Sequence, residues 1–177
     1  VVLTAVCQMA KLFKCAPTLE AVTAERNRRT AEAGLGGYAK MLYEDASIVA
    51  SVMDSGLPLN DPILDLTPGR KLRLFQMDPL VEKLLQSCGS YTELLKSFQD
   101  SVERAIRQDG FVGIKSHPGE LIGLGTPPVE ADEAARIFPT AKAGDAEAFR
   151  KFYMAVWLAT MLQCQDLNIP LHIHTGF

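Results

Sequence analysis

The sequence predicts an α/β fold in which parallel strands alternate with helices. Four short runs have the apolar, β-branched character of strands, and segments with helical spacing alternate with them along the chain. No tight-hairpin dipeptide joins two neighbouring runs, so the connections are expected to be crossovers between parallel strands. At 177 residues the chain is predicted to form a single domain, 1–177, with a substantial core.

The predicted helices are marked by apolar periodicity and by capping residues. Thr18, Asp78 and Ser90 are candidate N-caps, and Ser90 is followed by Glu93 in the pattern of a capping box. The pair Gly36-Gly37 is expected to end the helical region and to separate the second helix from a short third helix. The predicted helices span residues 2–14, 19–34, 38–44, 79–88, 91–109, 129–138 and 145–165.

The predicted strands are the apolar runs that end at turn-forming residues. They span residues 47–54, 72–77, 111–116 and 169–175. The first of them is a mainly apolar run that ends at Asp54, which favours a buried strand. The Pro-, Gly- and Asp-rich stretches over 57–69 and 119–128 are predicted to be loops.

Composition and charge exclude several classes of function. Hydrophobic residues make up 47% of the chain, charged residues 22%, and the net charge is −3, which gives no reason to expect nucleic-acid binding. Glutamates flank Arg26, Arg28 and Arg29, so a solvated helix face is favoured over a phosphate-binding patch. No apolar run is long enough to cross a membrane, and the opening residues are interpreted as a helix, not a signal peptide.

The four cysteines are far apart and form no CxxC pair, which indicates free thiols in a reducing, cytoplasmic compartment. The chain does not begin with methionine, so a segment upstream is expected to have been removed. No nucleophile elbow, Walker loop or dinucleotide-binding glycine motif occurs.

The residues with the strongest chemical potential lie at the predicted strand ends. All three histidines are there: His117 follows the third strand, and His172 and His174 lie in the fourth. Side chains alternate across a strand, so His172 and His174 share one face, as do Lys115 and His117. Because ligands bind at the carboxyl ends of parallel strands, these groups predict a metal site there.

Each candidate also has a structural interpretation. Asp54 could belong to a turn, His117 could be a loop histidine, and Asp78 is better explained as a helix cap. Lys115 is harder to explain this way, since a lysine within an apolar run is costly to bury unless its charge is paired or altered. A His-x-His pair on a strand that is apolar on its other face favours metal binding.

Two segments resemble barrel strands of the amidohydrolase-related family. Gly110-Phe-Val-Gly-Ile-Lys-Ser116 resembles the fourth strand, and Ile169-Pro-Leu-His-Ile-His-Thr-Gly-Phe177 resembles the fifth. The closest group looks like the one that also occurs fused to glutamine-synthetase-like domains. Residues 43–56 and 72–82 are similar to that group's second and third strands, so the resemblance spans most of the chain.

The resemblance implies a metal-dependent TIM barrel that hydrolyses an amide, a lactone or a related small molecule. A divalent metal, with zinc as the first choice, lowers the pKa of a bound water in such enzymes. His174 matches a metal-ligand histidine, and Lys115 matches a lysine that some relatives carboxylate to bridge two metals. His172 becomes a further metal or substrate candidate, His117 a substrate-facing group, and Asp54 a positioning residue that contacts substrate.

The departures from the family pattern limit these expectations. Gln76 and Asp78 stand where an arginine and a glutamate are expected, and residues 117–121 replace an Ala-Tyr-Arg element. The family's first-strand His-x-His and its catalytic aspartate are absent. A complete barrel needs roughly 250 residues, so the chain is expected to be a partial (β/α)8 barrel holding about strands 2–5.

Half a barrel would expose sheet edges, so the sequence predicts a homo-oligomer or association with the missing barrel segments. The 177 residues alone are expected not to catalyse, because only part of the ligand set is present. Two alternatives remain open: a non-catalytic, oligomer-forming α/β fragment without a complete metal site, and a small Rossmann-like enzyme without metal.

Overall fold

The computed structural model describes residues 2–54, 62–67 and 69–175, which form two compact units. Residues 2–51 and 62–71 belong to the first unit, and residues 52–54 and 72–175 belong to the second. Each unit has its own cluster of buried apolar side chains. The last two residues of the 169–177 motif lie outside the described residues.

The first unit contains two long helices, α1 (Val2–Phe13) and α2 (Leu19–Asp45). Thr18 is the N-cap of α2, and its side chain accepts a hydrogen bond from the Ala21 backbone N–H, as predicted. The helix predicted to end at Gly34 is interrupted there, with a φ of 70° and a ψ of 170°, whereas Gly36-Gly37, predicted as the break, lie within α2. Glycine adopts this conformation without the steric cost of a Cβ.

The arginines of α2 take part in contacts within the first unit. Arg28 pairs with Glu25 at 2.7 Å and with Glu32 at 2.6 Å. Arg29 donates to the Phe13 carbonyl and lies 5.0 Å from the centroid of that ring. Arg28 matches the predicted solvated helix face, whereas Arg29 is partly buried and packs against α1.

The loop predicted over 57–69 contains a short 3-10 helix, Pro62–Leu66. The part of that prediction over 57–61 and at Pro68 lies outside the described residues. After this helix, the Arg70 backbone N–H donates to the Val49 carbonyl at 3.0 Å.

The strands form a curled, parallel four-stranded sheet in chain order, most of which belongs to the second unit. Its strands are β1 (Ala50–Met53), β2 (Arg70–Gln76), β3 (Phe111–Ser116) and β4 (Leu171–Ile173). The predicted α/β class, with parallel strands, is confirmed. The arrangement is consistent with part of a barrel.

β1 is not the buried strand that its apolar sequence predicts. Its residues alternate between exposed and half-buried, and Val52 is 58% exposed. In the described sheet β1 has β2 as its single neighbour, so it is an edge strand.

Helices connect the strands of the second unit. They are α3 (Met77–Ser87), α4 (Tyr91–Arg107), α5 (Pro118–Leu121), α6 (Ala131–Lys142) and α7 (Ala146–Leu167). The Ser90 N-cap of α4 is confirmed, because Ser90 Oγ accepts from the Glu93 N–H at 3.2 Å, but the Glu93 carboxylate accepts from the Gly89 N–H and not from that of Ser90, as a capping box would require. The N-cap predicted for Asp78 is wrong: the N-cap residue of α3 is Gln76, and Asp78 lies in the first turn. The short helix α5 also interrupts the predicted 119–128 loop.

The core of this unit lies between the sheet and its helices. Ile114 of β3 is fully buried in that core, with Leu171 of β4 beside it. Gly113 allows the two strands to approach, since a Cβ at this position would lie 2.7 Å from the Pro170 carbonyl oxygen. Lys115 and Ser116 are buried as well, so β3 runs from half-buried residues into a buried end.

The four cysteines form no disulfide, and Cys88 and Cys164 are buried, as expected for free thiols. None of the helices within the described ranges is long and apolar enough to cross a membrane.

Candidate functional site

The parallel register brings polar residues to the same edge of the sheet. Gln76 of β2 lies opposite Lys115 of β3, and Lys115 lies opposite His172 of β4. The Cα register of parallel neighbours places their side chains on the same face. The structure therefore puts three of the polar strand-end residues in one row across the sheet.

Lys115 and Asp54 form an ion pair at one end of this row. The Lys115 Nζ is 3.2 Å from Asp54 Oδ2, and the lysine side chain is 5% exposed whereas the Asp54 side chain is 41% exposed. The Gln76 side-chain amide donates to the Asp54 backbone carbonyl. The charge of the buried lysine is thus balanced by a carboxylate that Gln76 helps to place.

A second group of contacts is centred on Asp78. Its Oδ2 accepts the His117 backbone N–H at 3.1 Å and lies 2.6 Å from His117 Nδ1. Its Oδ1 accepts a hydrogen bond from the Tyr153 hydroxyl. The carboxylate is buried and joins the start of α3, the end of β3 and the middle of α7.

His174 lies beside His117. The centroids of the two imidazole rings are 5.3 Å apart, and the rings are tilted by 35°. His174 Nε2 is 3.4 Å from Glu120 Oε1, and the His174 backbone N–H donates to the Ser116 carbonyl at 2.9 Å. This backbone bond holds the end of β4 against the end of β3.

A cavity of about 230 Å³ opens next to these groups. It is lined by Gln76, Asp78, Pro79, His117, Glu120 and Leu121. Three of its lining side chains carry carboxylate or imidazole groups, and none is a lysine or arginine. The cavity therefore offers hydrogen-bond acceptors more than positive charge.

Four of the five residues singled out from the sequence form two pairs, and His172 belongs to neither. Lys115 and Asp54 pair with each other, and His117 lies against His174. His172 is exposed on β4, opposite Lys115 in the register.

Sequence reasoning missed Tyr153 and Glu120, and it gave Asp78 a capping role. Asp78 lies two residues after the end of β2, and functional residues of parallel α/β folds often follow strand ends, so its position was a signal that could have identified it. Tyr153 lies in a largely apolar stretch of α7, 75 residues from Asp78, and no local pattern marks it.

The donor groups of this region do not form a metal site by themselves. Among residues 2–54, 62–67 and 69–175, no three His, Cys, Asp or Glu side chains come together in an arrangement that could hold a metal ion. His174 and His117 are suitable donor types, but in this structure their neighbours are carboxylates of the same cluster. The described residues thus supply single donors, not a complete ligand set.

The fold is similar to the crystal structure of a protein from Lactobacillus casei ATCC 334 whose name proposes a metal-dependent hydrolase. The TM-score is 0.68 and the sequence identity is 21%, over 81% of this chain and 40% of that one. The chain thus spans less than half the length of this neighbour, and at this identity the likeness establishes the fold alone. No family model and no curated protein matches the sequence.

Proposed function

We propose that this chain is part of a metal-dependent hydrolase barrel of the amidohydrolase type, which acts on an amide, a lactone or a related small molecule. The observation that carries this proposal is the row of polar groups at the carboxyl ends of parallel strands, with the His117 and His174 rings 5.3 Å apart. In (β/α)8 enzymes this edge of the sheet holds the active site. The name of the structural neighbour, and the resemblance of the third and fourth strands of this sheet to amidohydrolase strands, point in the same direction.

In this proposal His174 and Lys115 are the metal-binding residues, and zinc is the first metal to test. His117 and His172 face the substrate. Asp54 positions Lys115, and the 3.2 Å contact between their charged groups supports that role. An ammonium group has no lone pair to offer a metal, so metal binding by Lys115 requires its amine to lose a proton or to be carboxylated.

Because the described residues lack a complete ligand set, we propose that the other ligands lie in barrel segments beyond the part of the chain that the structure describes, or in a second copy. The chain covers 40% of the structural neighbour, which leaves room for such segments in the whole protein. The 177 residues alone are then expected to be inactive.

A second function is favoured by the absence of a three-donor cluster from the described residues. In it, the chain is a non-catalytic α/β fragment that associates with itself or with another barrel segment. Its polar strand ends then stabilise the fold and bind no metal.

Metal binding separates these two functions. The 177-residue chain is freed of metal, equilibrated with zinc and dialysed, and the bound zinc is measured by mass spectrometry. The hydrolase proposal predicts weak binding that His174→Ala abolishes. The matched control is His172→Ala, which removes the same side chain two residues away at an exposed position and is expected to retain the metal. Absence of binding by the parent chain, or equal binding by His174→Ala, would contradict the metal-ligand role of His174 and favour the second function.

An activity assay tests the role of the missing segments. Simple amides and lactones are incubated with the chain in the presence and absence of zinc. We expect no hydrolysis above the buffer rate. Metal-dependent turnover by the chain alone would show that the described donors suffice.

A further inference from the structure

Asp78 makes more contacts than a first-turn helix residue requires. Both of its carboxylate oxygens accept hydrogen bonds: Oδ1 from the Tyr153 hydroxyl, and Oδ2 from the backbone N–H of His117, with the Nδ1 of that residue 2.6 Å away. A carboxylate is an acceptor without hydrogens to donate, so the Nδ1 atom facing it must carry the proton. In a neutral His117 ring, a hydrogen bond at this contact requires the proton on Nδ1 and leaves Nε2 as the acceptor.

Tyr153 can act in this cluster as a fixed donor. Burial raises the pKa of its hydroxyl above the ordinary value, and the hydrogen bond and charge of Asp78 raise that pKa further. The hydroxyl therefore keeps its proton and directs it to Asp78. Since Tyr153 is fully buried in α7, the carboxylate is held by the core of the unit and not by a mobile surface group.

We propose that Asp78 is a positioning residue, which together with Tyr153 fixes the Nδ1–H tautomer of His117 and makes the Nε2 lone pair an acceptor for a ligand in the adjacent cavity. A neutral imidazole has one donor nitrogen and one acceptor nitrogen, and the bond made by one decides the role of the other. Free histidine favours the opposite, Nε2–H tautomer, so the carboxylate must act against the intrinsic preference of the ring.

The cavity indicates the class of ligand. Its lining includes Asp78, His117 and Glu120, and none of its lining residues is a lysine or an arginine. A ligand that donates hydrogen bonds, through a hydroxyl or an amide N–H, fits such a lining better than an anion does. The choice of an amide as the ligand rests on the function proposed above. The proposed tautomer of His117 does not depend on that function.

Nuclear magnetic resonance tests the tautomer directly on the metal-free 177-residue chain. The chain has three histidines, so the two-bond nitrogen–proton correlations of each ring can be assigned with His172→Ala and His174→Ala. At a pH at which all three rings are neutral, we expect His117 in the Nδ1–H form. Asp78→Asn should shift His117 toward the Nε2–H form, and Tyr153→Phe should shift it less.

Two controls separate positioning from general damage to the fold. Asp132→Asn changes an exposed carboxylate in the first turn of α6, and Tyr91→Phe removes a hydroxyl from another tyrosine buried in the same core. Neither should move the His117 signals. If His117 of the parent chain is in the Nε2–H form, the proposal is overturned without recourse to any variant. A folded Asp78→Asn chain with an unchanged tautomer would overturn it as well.

The ligand class is tested on the same sample with acetamide and acetate, which have similar size but differ in donors and charge. We expect acetamide to shift the His117 ring signals and acetate to leave them in place. Equal shifts with both, or no shift with acetamide, would reject the ligand class while leaving the tautomer result intact. Because no metal is present, these results are independent of whether the hydrolase proposal survives its zinc test.

Discussion

The helix-facing side of the sheet and its polar carboxyl edge lie within the same unit but are stabilised in different ways. Ile114 packs into an apolar core in which Leu94, Phe98 and Phe152 are fully buried. The next residue along β3, Lys115, is also buried, yet it depends on one ion pair with Asp54. Apolar packing is spread over many neighbours, whereas a buried charge depends on a specific partner. The two regions should therefore respond differently to substitution.

The largest effect is expected in the apolar core. Leu94→Ala removes a side chain that is fully buried in α4, and the lost burial and the cavity left behind should lower the free energy of unfolding by about 2–5 kcal/mol. Leu162→Ala is the matched control, because this α7 leucine is 64% exposed, and its cost should be within about 0.5 kcal/mol. Urea unfolding followed by circular dichroism measures both. Equal losses would show that the core is not packed as described.

The core is also the part of the fold that the sequence predicted best. Helical spacing of apolar residues located α4 and α7, and the apolar run over 111–116 predicted β3 with the observed bounds. These patterns are local, since each element signals its own buried face. The prediction for β1 was wrong because the same apolar character occurs in a strand with one neighbour, and the number of neighbours is not a local property.

The Asp78 cluster should show the second-largest effect. Asp78→Ala leaves the Tyr153 hydroxyl and two N–H groups of His117 without their acceptor, which should cost about 3 kcal/mol of unfolding free energy. The matched control is Asp132→Ala, which removes an exposed aspartate from the first turn of α6. It should lower the free energy of unfolding by about 0.3–1 kcal/mol.

A double-mutant cycle shows whether these groups act together. If Tyr153→Phe is made in the Asp78→Ala background, its cost should fall by about 0.5–3 kcal/mol relative to the parent chain, because the partner is already gone. Costs that simply add would argue against the hydrogen bond between the two side chains.

The site shows where sequence reasoning reaches its limit. Placing Lys115, His117 and His174 at strand ends followed from the alternation of strand side chains and from parallel topology. Their partners did not follow. Tyr153 reaches Asp78 across 75 residues of sequence, and the choice between a helix cap and a buried acceptor for Asp78 depends on what α7 places beside it. Such pairings depend on tertiary packing, which a local sequence pattern does not reveal.

The Lys115–Asp54 pair gives the smallest expected effect and the clearest contrast with the core. Asp54→Asn leaves the buried amine without its countercharge, but the Asp54 side chain is 41% exposed and water can reach its position, so the cost should be near 1 kcal/mol. Lys115→Met removes the buried charge and keeps an apolar stem of similar size. It should be nearly neutral, because the aspartate left behind is already partly hydrated. Urea unfolding of both variants measures this asymmetry. A Lys115→Met chain less stable than Asp54→Asn would mean that the amine has a further partner, and that this edge of the sheet is stabilised by a network and not by a single pair.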